Sequence, residues 1–389
     1  MRVVLTSLGL GLCLLLAGCA PSSPGADADR GFALDRALGA QVGDGAFLKV
    51  TEAPDLQFPR DHGAHPNYRQ EWWYFTGNLR TAQGRRFGYQ ATIFRFALGT
   101  GGDTAKGESA SAWRTGQLYM AHLAVSDIEA GRFTAADRFA RGALGLAGAE
   151  SEPLKVWVED WSIADDPSAG GAPFSVRLRF QDRAIGIDLS LVAERPVLRQ
   201  GAGGYSRKGD DPSNASAYYS LTRLRSTGAL RTAGERYEVA GTSWFDREWG
   251  TSFLAPGVAG WDWFSLQLDD GRDLMFYRLR GEHGESTRWS AGAIAALDGD
   301  GQWQVQRLDA DEVQLEPVAR WRSPASGVRY PVSWILRLPD QALVLEVKAA
   351  LEDQELRLAT RYWEGAVTVA GQQGERAVSG RGYLELAGY

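Results

Sequence analysis

Most of this chain alternates apolar and polar residues with a period of two, and the alternation breaks at Gly, Asp or Asn. A period of two places successive side chains on opposite faces of a strand, so the pattern predicts antiparallel β-structure. RRFGYQATIFRF (85–96), GQLYMAHLAVSD (116–127), LKVWVEDWSI (154–163), FSVRLRF (174–180) and IGIDLSLVAE (185–194) each read as one strand. WDWFSLQL (261–268), LMFYRLR (274–280), SWILRL (333–338), LVLEVKA (343–349) and GYLELAGY (382–389) continue the series. DDG at 269–271 and DGDG at 298–301 supply turns between them. Helical periodicity is confined to two short stretches, near 30–38 and 134–141. The expected fold class is all-β.

A weak repeat divides the chain. VAGTSWFDREWG (239–250) and VSGRGYLELAGY (378–389) share a frame that places Gly241 over Gly380, Trp244 over Tyr383 and Asp246 over Glu385. WWYFTGNL (72–79) and WDWFSLQL (261–268) each open a unit. The chain has 389 residues, more than one core usually fills. Two β units are therefore expected, over 45–250 and 251–389. Closure into antiparallel barrels would remove their exposed edges and leave room for one ligand.

The first residues read as a targeting signal over 1–18. Arg2 gives a short positive region, Val3 to Leu16 an apolar run, and LLLAGC ends in the small residues that precede a cleavage site. The ending resembles a bacterial lipobox, with Cys19 lipidated and 19–44 acting as a flexible tether rich in Pro, Ser, Gly and Ala. Ala20 after that cysteine points to the outer membrane, facing the periplasm. The net charge of −6 leaves no basic field for nucleic acid.

The aromatics concentrate beside acids. In RQEWWYFTG, Glu71, Trp73 and Phe75 share one strand face, and Trp72, Tyr74 and Thr76 the other. Both faces being aromatic, both must be covered. Glu71 is then either a member of an ion pair or the polar point of an apolar pocket. In TSWFDREWG, Trp244, Asp246 and Glu248 face one way, and Phe245, Arg247 and Trp249 the other. An acid buried beside Trp can stay protonated and act as a general acid; the competing reading is an ion pair with Arg. His122 shares a strand face with Met120 and Ala124, as a wall residue or a proton carrier. Tyr218 and Tyr219 put aromatics on both faces of another strand. His62 and His65 have H-x-x-H spacing in a Gly/Pro loop, which does not present two ligands as a helix would, so no metal site is expected. GAGGYSRKGDD (201–211) lacks the phosphate-loop frame and reads as a flexible lid or loop. No G-x-S-x-G elbow occurs, and no cofactor motif is present.

FPRDHGAHPNYRQEWWYFTGNL (58–79), YMAHLAVSD (119–127), GGYSRKG with AYYSLTRL, GTSWFDREWG and GWDWFSLQLDDGRDLMFYRLRG (260–281) together resemble the AttH-like family, related to carotenoid 1,2-hydratases (hydroxyneurosporene synthases). The resemblance runs from about residue 45 to the C-terminus. It implies two tandem lipocalin-like barrels packed together, and an apolar cavity that handles a long unsaturated molecule. Arg247 stands where the family often has His, and an Arg does not release its proton at working pH.

Two functions follow as expectations. The first is an envelope lipoprotein that binds a hydrophobic small molecule, isoprenoid or lipid-like, among Trp72, Trp73, Tyr74, Tyr218, Tyr219, Trp244, Glu248, Trp261 and Trp263. The second is a cofactor-free hydratase or isomerase. In it Asp246 protonates an alkene, Trp244, Trp261 or Trp263 stabilises the cation, and His122 or Glu71 activates water. A scaffold role beside an envelope transporter leaves the carboxylate–aromatic strands unexplained. Purified from native membranes with its anchor, a tight carrier is expected to release a stoichiometric hydrophobic molecule on extraction, read by mass spectrometry. An empty extract would contradict tight carriage.

Overall fold

The computed structural model describes residues 47–98 and 115–389. The signal, Cys19, the tether and the helix expected near 30–38 lie outside the described residues. The first sheet comprises β1 (Gln70–Arg80), β2 (Arg86–Ala97), β3 (Gln117–Asp127), β4 (Arg132–Arg141), β5 (Ala147–Ser151), β6 (Leu154–Val158) and β7 (Trp161–Asp165). It continues with β8 (Ser175–Gln181), β9 (Ile185–Ala193), β10 (Leu198–Arg199), β11 (Tyr205–Arg207), β12 (Ala215–Thr232) and β13 (Glu235–Gly250). The second comprises β14 (Val258–Leu268), β15 (Asp273–Gly281), β16 (Ala291–Leu297), β17 (Trp303–Asp309) and β18 (Gln314–Arg322). Its remaining strands are β19 (Arg329–Leu338), β20 (Leu343–Ala349), β21 (Glu355–Arg357), β22 (Arg361–Gln373) and β23 (Arg376–Ala387).

All pairings between these strands are antiparallel. The first sheet runs β4-β3-β2-β1-β13-β12-β9-β8-β7-β6-β5 and curls into a nearly closed barrel. The second runs β17-β16-β15-β14-β23-β22-β20-β19-β18 and forms a half-barrel. The central three strands correspond between sheets: β1, β13 and β12 in the first match β14, β23 and β22 in the second.

Alternation decides what each strand faces. Trp73 and Phe75 of β1 and Phe245 and Trp249 of β13 lie in the core of the first barrel, with Phe75 stacked on Phe245 at 4.3 Å. Phe264, Leu266, Trp363, Leu384 and Leu386 fill the second core. The intervening residues, Tyr74, Tyr218, Trp244, Trp263 and Tyr383, form a third apolar cluster between the sheets. β1 lies against β23, and β2 against β22. Gly88 permits the latter approach, since a Cβ there would sit 2.7 Å from Ala366 Cβ and 2.8 Å from the Tyr383 hydroxyl.

Three local readings need correction. Residues 134–141 are not helical: they belong to β4, whose pairing with β3 (Ala121 opposite Arg138) overrides the helix preference of the alanines. The stretch 154–163 is two strands, β6 and β7, because Glu159 takes a positive φ of 57° and the chain reverses there. The glycine-rich segment 201–211 is anchored rather than loose: β11 pairs with β12, and Lys208 is buried.

Glu71 explains how the first barrel tolerates charge. It is fully buried and ion-paired to both Arg95 and Arg247, and the His65 backbone N–H donates to both its oxygens at 3.1 and 3.0 Å. The Arg247 guanidinium also lies 4.0 Å from the centre of the Trp73 ring. Burial alone would raise the Glu71 pKa, but the two guanidinium groups outweigh it and hold it well below the ordinary carboxylate range. Replacing Glu71 with Gln leaves two buried cations without their counter-ion. Urea denaturation at neutral pH is expected to show a loss of about 3–5 kcal/mol. A native pKa below the unfolded one contributes stability that is lost in acid, so the deficit should shrink as pH falls through the native pKa.

Candidate functional site

Between the sheets lies a cavity of about 90 Å³. The first sheet contributes Trp72 and Tyr74 from β1, Phe94 from β2, Tyr218 from β12, and Asp246 and Glu248 from β13, with Lys208 after β11. The link between the sheets adds Phe253 and Leu254. The second sheet adds Trp261 and Trp263 from β14, Tyr277 and Leu279 from β15, Tyr362 and Glu364 from β22, and Glu385 from β23. Trp72, Phe94 and Trp261 are only partly buried and form the rim. The volume is below the ~150 Å³ of an apolar cavity that admits benzene, so a longer molecule enters only as rim side chains move.

The cavity wall inherits the sheet registers. Asp246 sits opposite Tyr74 on one side and Ser220 on the other. Glu248 sits between Trp72 and Tyr218 in the same way. In the second sheet Glu385 sits between Trp263 and Glu364. The repeat frame that set Asp246 over Glu385 thus brings both acids to one cavity.

Each acid has a distinct setting. Oδ1 of Asp246 accepts from Ser220 Oγ and Trp244 Nε1, both at 2.6 Å, and its Oδ2 is bonded to the Tyr218 hydroxyl. Burial raises the Asp246 pKa to about 7, despite the donors from Ser220, Tyr218 and Trp244. Glu248 is ion-paired with Lys208 at 2.5 Å and accepts from Ser216 Oγ, both on Oε1. Lys208 Nζ also donates to Ser206 Oγ at 3.0 Å and Ser216 Oγ at 2.7 Å. Glu385 accepts from Trp261 Nε1 at 3.1 Å, and burial raises its pKa to about 8. Glu364 accepts from the Tyr74 hydroxyl on Oε1; burial, then the neighbouring Glu385, push its pKa well above the usual range.

The Asp246–Tyr218 bond has a direction that depends on the proton. When Asp246 is ionised, the Tyr218 hydroxyl donates to Oδ2. When Asp246 is neutral, its two Oδ1 donors place the acid proton on Oδ2, which then donates to the Tyr218 oxygen. That oxygen also accepts from Trp263 Nε1 at 3.1 Å. Tyr218's own proton is then free to point into the cavity it lines.

The structure brings together Trp72, Tyr74, Tyr218, Asp246, Glu248, Trp261 and Trp263 at the cavity. Trp244 lies behind Asp246 in the same seam and holds it. Trp73, Tyr219 and Glu71 do not reach the cavity, because alternation turns them into the first barrel. There Trp73 Nε1 donates to the His62 carbonyl at 2.8 Å, and the Tyr219 hydroxyl lies 2.7 Å from His62 Nδ1. Arg247 points the same way, so this position is remote from the cavity whichever residue fills it. His122 sits one layer behind the wall, its Nδ1 2.8 Å from the Tyr362 hydroxyl. Burial lowers its pKa to about 4 and keeps it neutral. His65 stacks flat on Trp249 at 3.7 Å, away from the seam.

Burying Asp246 raises its pKa from 3.8 to about 7. A raised native carboxyl pKa costs stability as pH rises from the unfolded to the native value. Asn reproduces the hydrogen bonds of the neutral acid without its titration. Relative to the wild type, Asp246→Asn is therefore expected to gain stability across that window, by up to roughly 4 kcal/mol, and to hold the gain above it. Thermal melts at pH 4, 6 and 8 check this.

Residues 49–389 match the AttH-like family. Kievitone hydratase of Fusarium solani subsp. phaseoli is 26% identical over 267 residues, which cover 62% of this chain and 68% of that protein. The dehydratase asqC of Emericella nidulans is 23% identical over 229 residues, 54% of this chain and 61% of that relative's length. Among solved structures, an AttH candidate from Nitrosomonas europaea superposes with a TM-score of 0.74 at 32% identity, covering 88% of this chain and 100% of that one. Kievitone hydratase from Nectria haematococca superposes with a TM-score of 0.65 at 15% identity, covering 87% of this chain and 95% of that one, a likeness of fold.

Proposed function

This chain belongs to the AttH-like family, and on that premise we propose that its seam cavity is the site of a cofactor-free hydro-lyase. The enzyme adds water to, or removes it from, an unsaturated hydrophobic molecule. The observation that carries this reading is the pairing on one face of β13 of a raised-pKa acid, Asp246, with Glu248, which is ion-paired to Lys208. An acid whose pKa burial raises, beside a carboxylate paired with a lysine, supplies a proton donor and a proton acceptor at one site. The strand rise separates them by roughly 7 Å, which leaves space for a water between.

In the hydration direction, Asp246 is the proton source. Its proton passes to the Tyr218 oxygen while the Tyr218 proton passes to an alkene carbon. A C–H bond forms, the π bond breaks, and the neighbouring carbon becomes cationic. The faces of Trp72, Trp261 and Trp263 stabilise that charge, and the apolar wall excludes bulk water. One water adds through its oxygen and gives its proton to the Glu248 carboxylate. Proton exchange between Glu248 and Asp246 restores the starting state. Dehydration is the same sequence reversed. The names of the two fungal relatives, a hydratase and a dehydratase, support this class.

The apolar run ending in LLLAGC supports a lipid anchor at Cys19 and a place in the bacterial envelope, on the periplasmic face of the outer membrane. The ligand would then be met at or near the bilayer, where unsaturated hydrophobic molecules partition.

Asp246→Asn keeps the hydrogen bonds and loses the transferable proton. It is expected to lower kcat/KM for hydration about 10²–10⁴-fold. The wild-type rate is expected to fall above about pH 7, as Asp246 ionises. Unchanged conversion by the Asn variant would overturn the assignment.

A further inference from the structure

The second sheet brings to the cavity two acids that the reaction above does not use. Glu364 and Glu385 are direct cross-strand neighbours on β22 and β23, and both line the cavity. Among the described residues neither has an ion-pair partner, and Lys208 is already engaged by Glu248, Ser206 and Ser216. Two carboxylates placed side by side in a low-dielectric wall cannot both ionise, so this pair keeps at least one proton. The groups facing it are Tyr74 from β1, Trp261 from β14, Tyr362 from β22, Tyr383 from β23, and Asp246 and Glu248 from β13, none of them cationic.

The hydrogen bonds say where that proton lies. Glu364 Oε1 accepts from the Tyr74 hydroxyl, so a neutral Glu364 carries its proton on Oε2. Oε2 is buried and has no hydrogen-bond partner among the described residues; the Tyr362 hydroxyl, which also acts on this carboxyl, is engaged with His122 Nδ1 at 2.8 Å. A buried donor without an acceptor is costly, and most buried polar groups in folded proteins have a partner. Here the unpaired oxygen belongs to a residue of the cavity wall, on the sheet opposite Asp246.

We propose that Glu364 donates this hydrogen bond to a carbonyl oxygen of the ligand, so that the natural ligand is an oxygenated, unsaturated, apolar compound and not a plain hydrocarbon. The proposal deepens the hydro-lyase reading and rests on its placing of the ligand in the seam. Burial, reinforced by Glu385 opposite, keeps Glu364 neutral, and Tyr74 fixes which oxygen bears the proton. A carboxylic acid used in this way orients the ligand, with its carbonyl on the second sheet and its reacting carbons toward Tyr218 and Asp246 on the first.

The test uses the full chain and two saturated probes that cannot be hydrated, benzylacetone and its hydrocarbon counterpart n-butylbenzene. Binding is read by calorimetry, and the probe's carbonyl stretch by infrared spectroscopy. The ketone is expected to bind about tenfold more tightly, with its carbonyl stretch moved to lower wavenumber. Glu364→Leu is expected to abolish both the preference and the shift. Glu364→Gln, whose amide still donates, should retain most of each. Equal binding of the two probes, as a water on Oε2 would give, overturns the proposal, and so does failure of both to bind. A preference or shift that survives Glu364→Leu also overturns it. The wild-type carbonyl shift is informative even if the Leu variant does not fold. Because neither probe reacts, these results are independent of Asp246: a failed hydration assay leaves the Glu364 assignment standing, and the converse holds.

Discussion

The central strands of each sheet carry aromatics on both faces, and water cannot be allowed to meet either. One face of each closes around its own core. The other has to be covered by the partner sheet, and that mutual covering places Tyr74, Tyr218, Trp244, Trp263 and Tyr383 in a single apolar cluster. Because β1, β13 and β12 correspond to β14, β23 and β22, the layers meet through equivalent strands. Residues at equivalent positions, such as Asp246 and Glu385, are thereby driven to one place. The cavity follows from the covering: it is the part of the seam that the aromatic side chains do not fill.

The same alternation sorts charge into two kinds. Glu71 and Arg247 turn inward and form, with Arg95, an ion cluster that holds one end of the first barrel. Asp246 and Glu248, one residue to either side of Arg247, turn outward into the seam. Only Glu248 meets a cation there. Asp246, Glu364 and Glu385 are surrounded by hydroxyl and indole donors, so burial dominates and their pKa values rise. Strand parity is therefore what separates the ion-paired carboxylate of the first barrel from the raised-pKa acids of the seam in this fold.

Much of this was legible in the residues. Period-two alternation gave the faces of β1 and β13 correctly, and the repeat frame already aligned Asp246 with Glu385. That alignment was the available signal for Glu385, since an acid equivalent to a candidate acid belongs in the same seam. Glu364 had no comparable signal, because RYWEGAVTV resembles any strand with one acid. Its role depends on a cross-strand neighbour that only the register reveals. Lys208 was hidden for the opposite reason: Gly and Asp around it suggest a loose loop, and a lysine is seldom buried. The inward fate of Glu71, Trp73 and Tyr219 could not be chosen from parity alone, which says which residues share a face but not which face holds the cavity.

The central claim is that Asp246 is a neutral carboxylic acid facing the seam near neutral pH. Infrared difference spectra between the wild type and Asp246→Asn, taken at pH 5.5 and pH 8.5, test it most directly. The account predicts a protonated-carboxyl C=O band belonging to Asp246 at the lower pH, replaced by carboxylate bands at the higher. A carboxylate signature for Asp246 at both pH values would contradict it, and would make the residue one more structural anion.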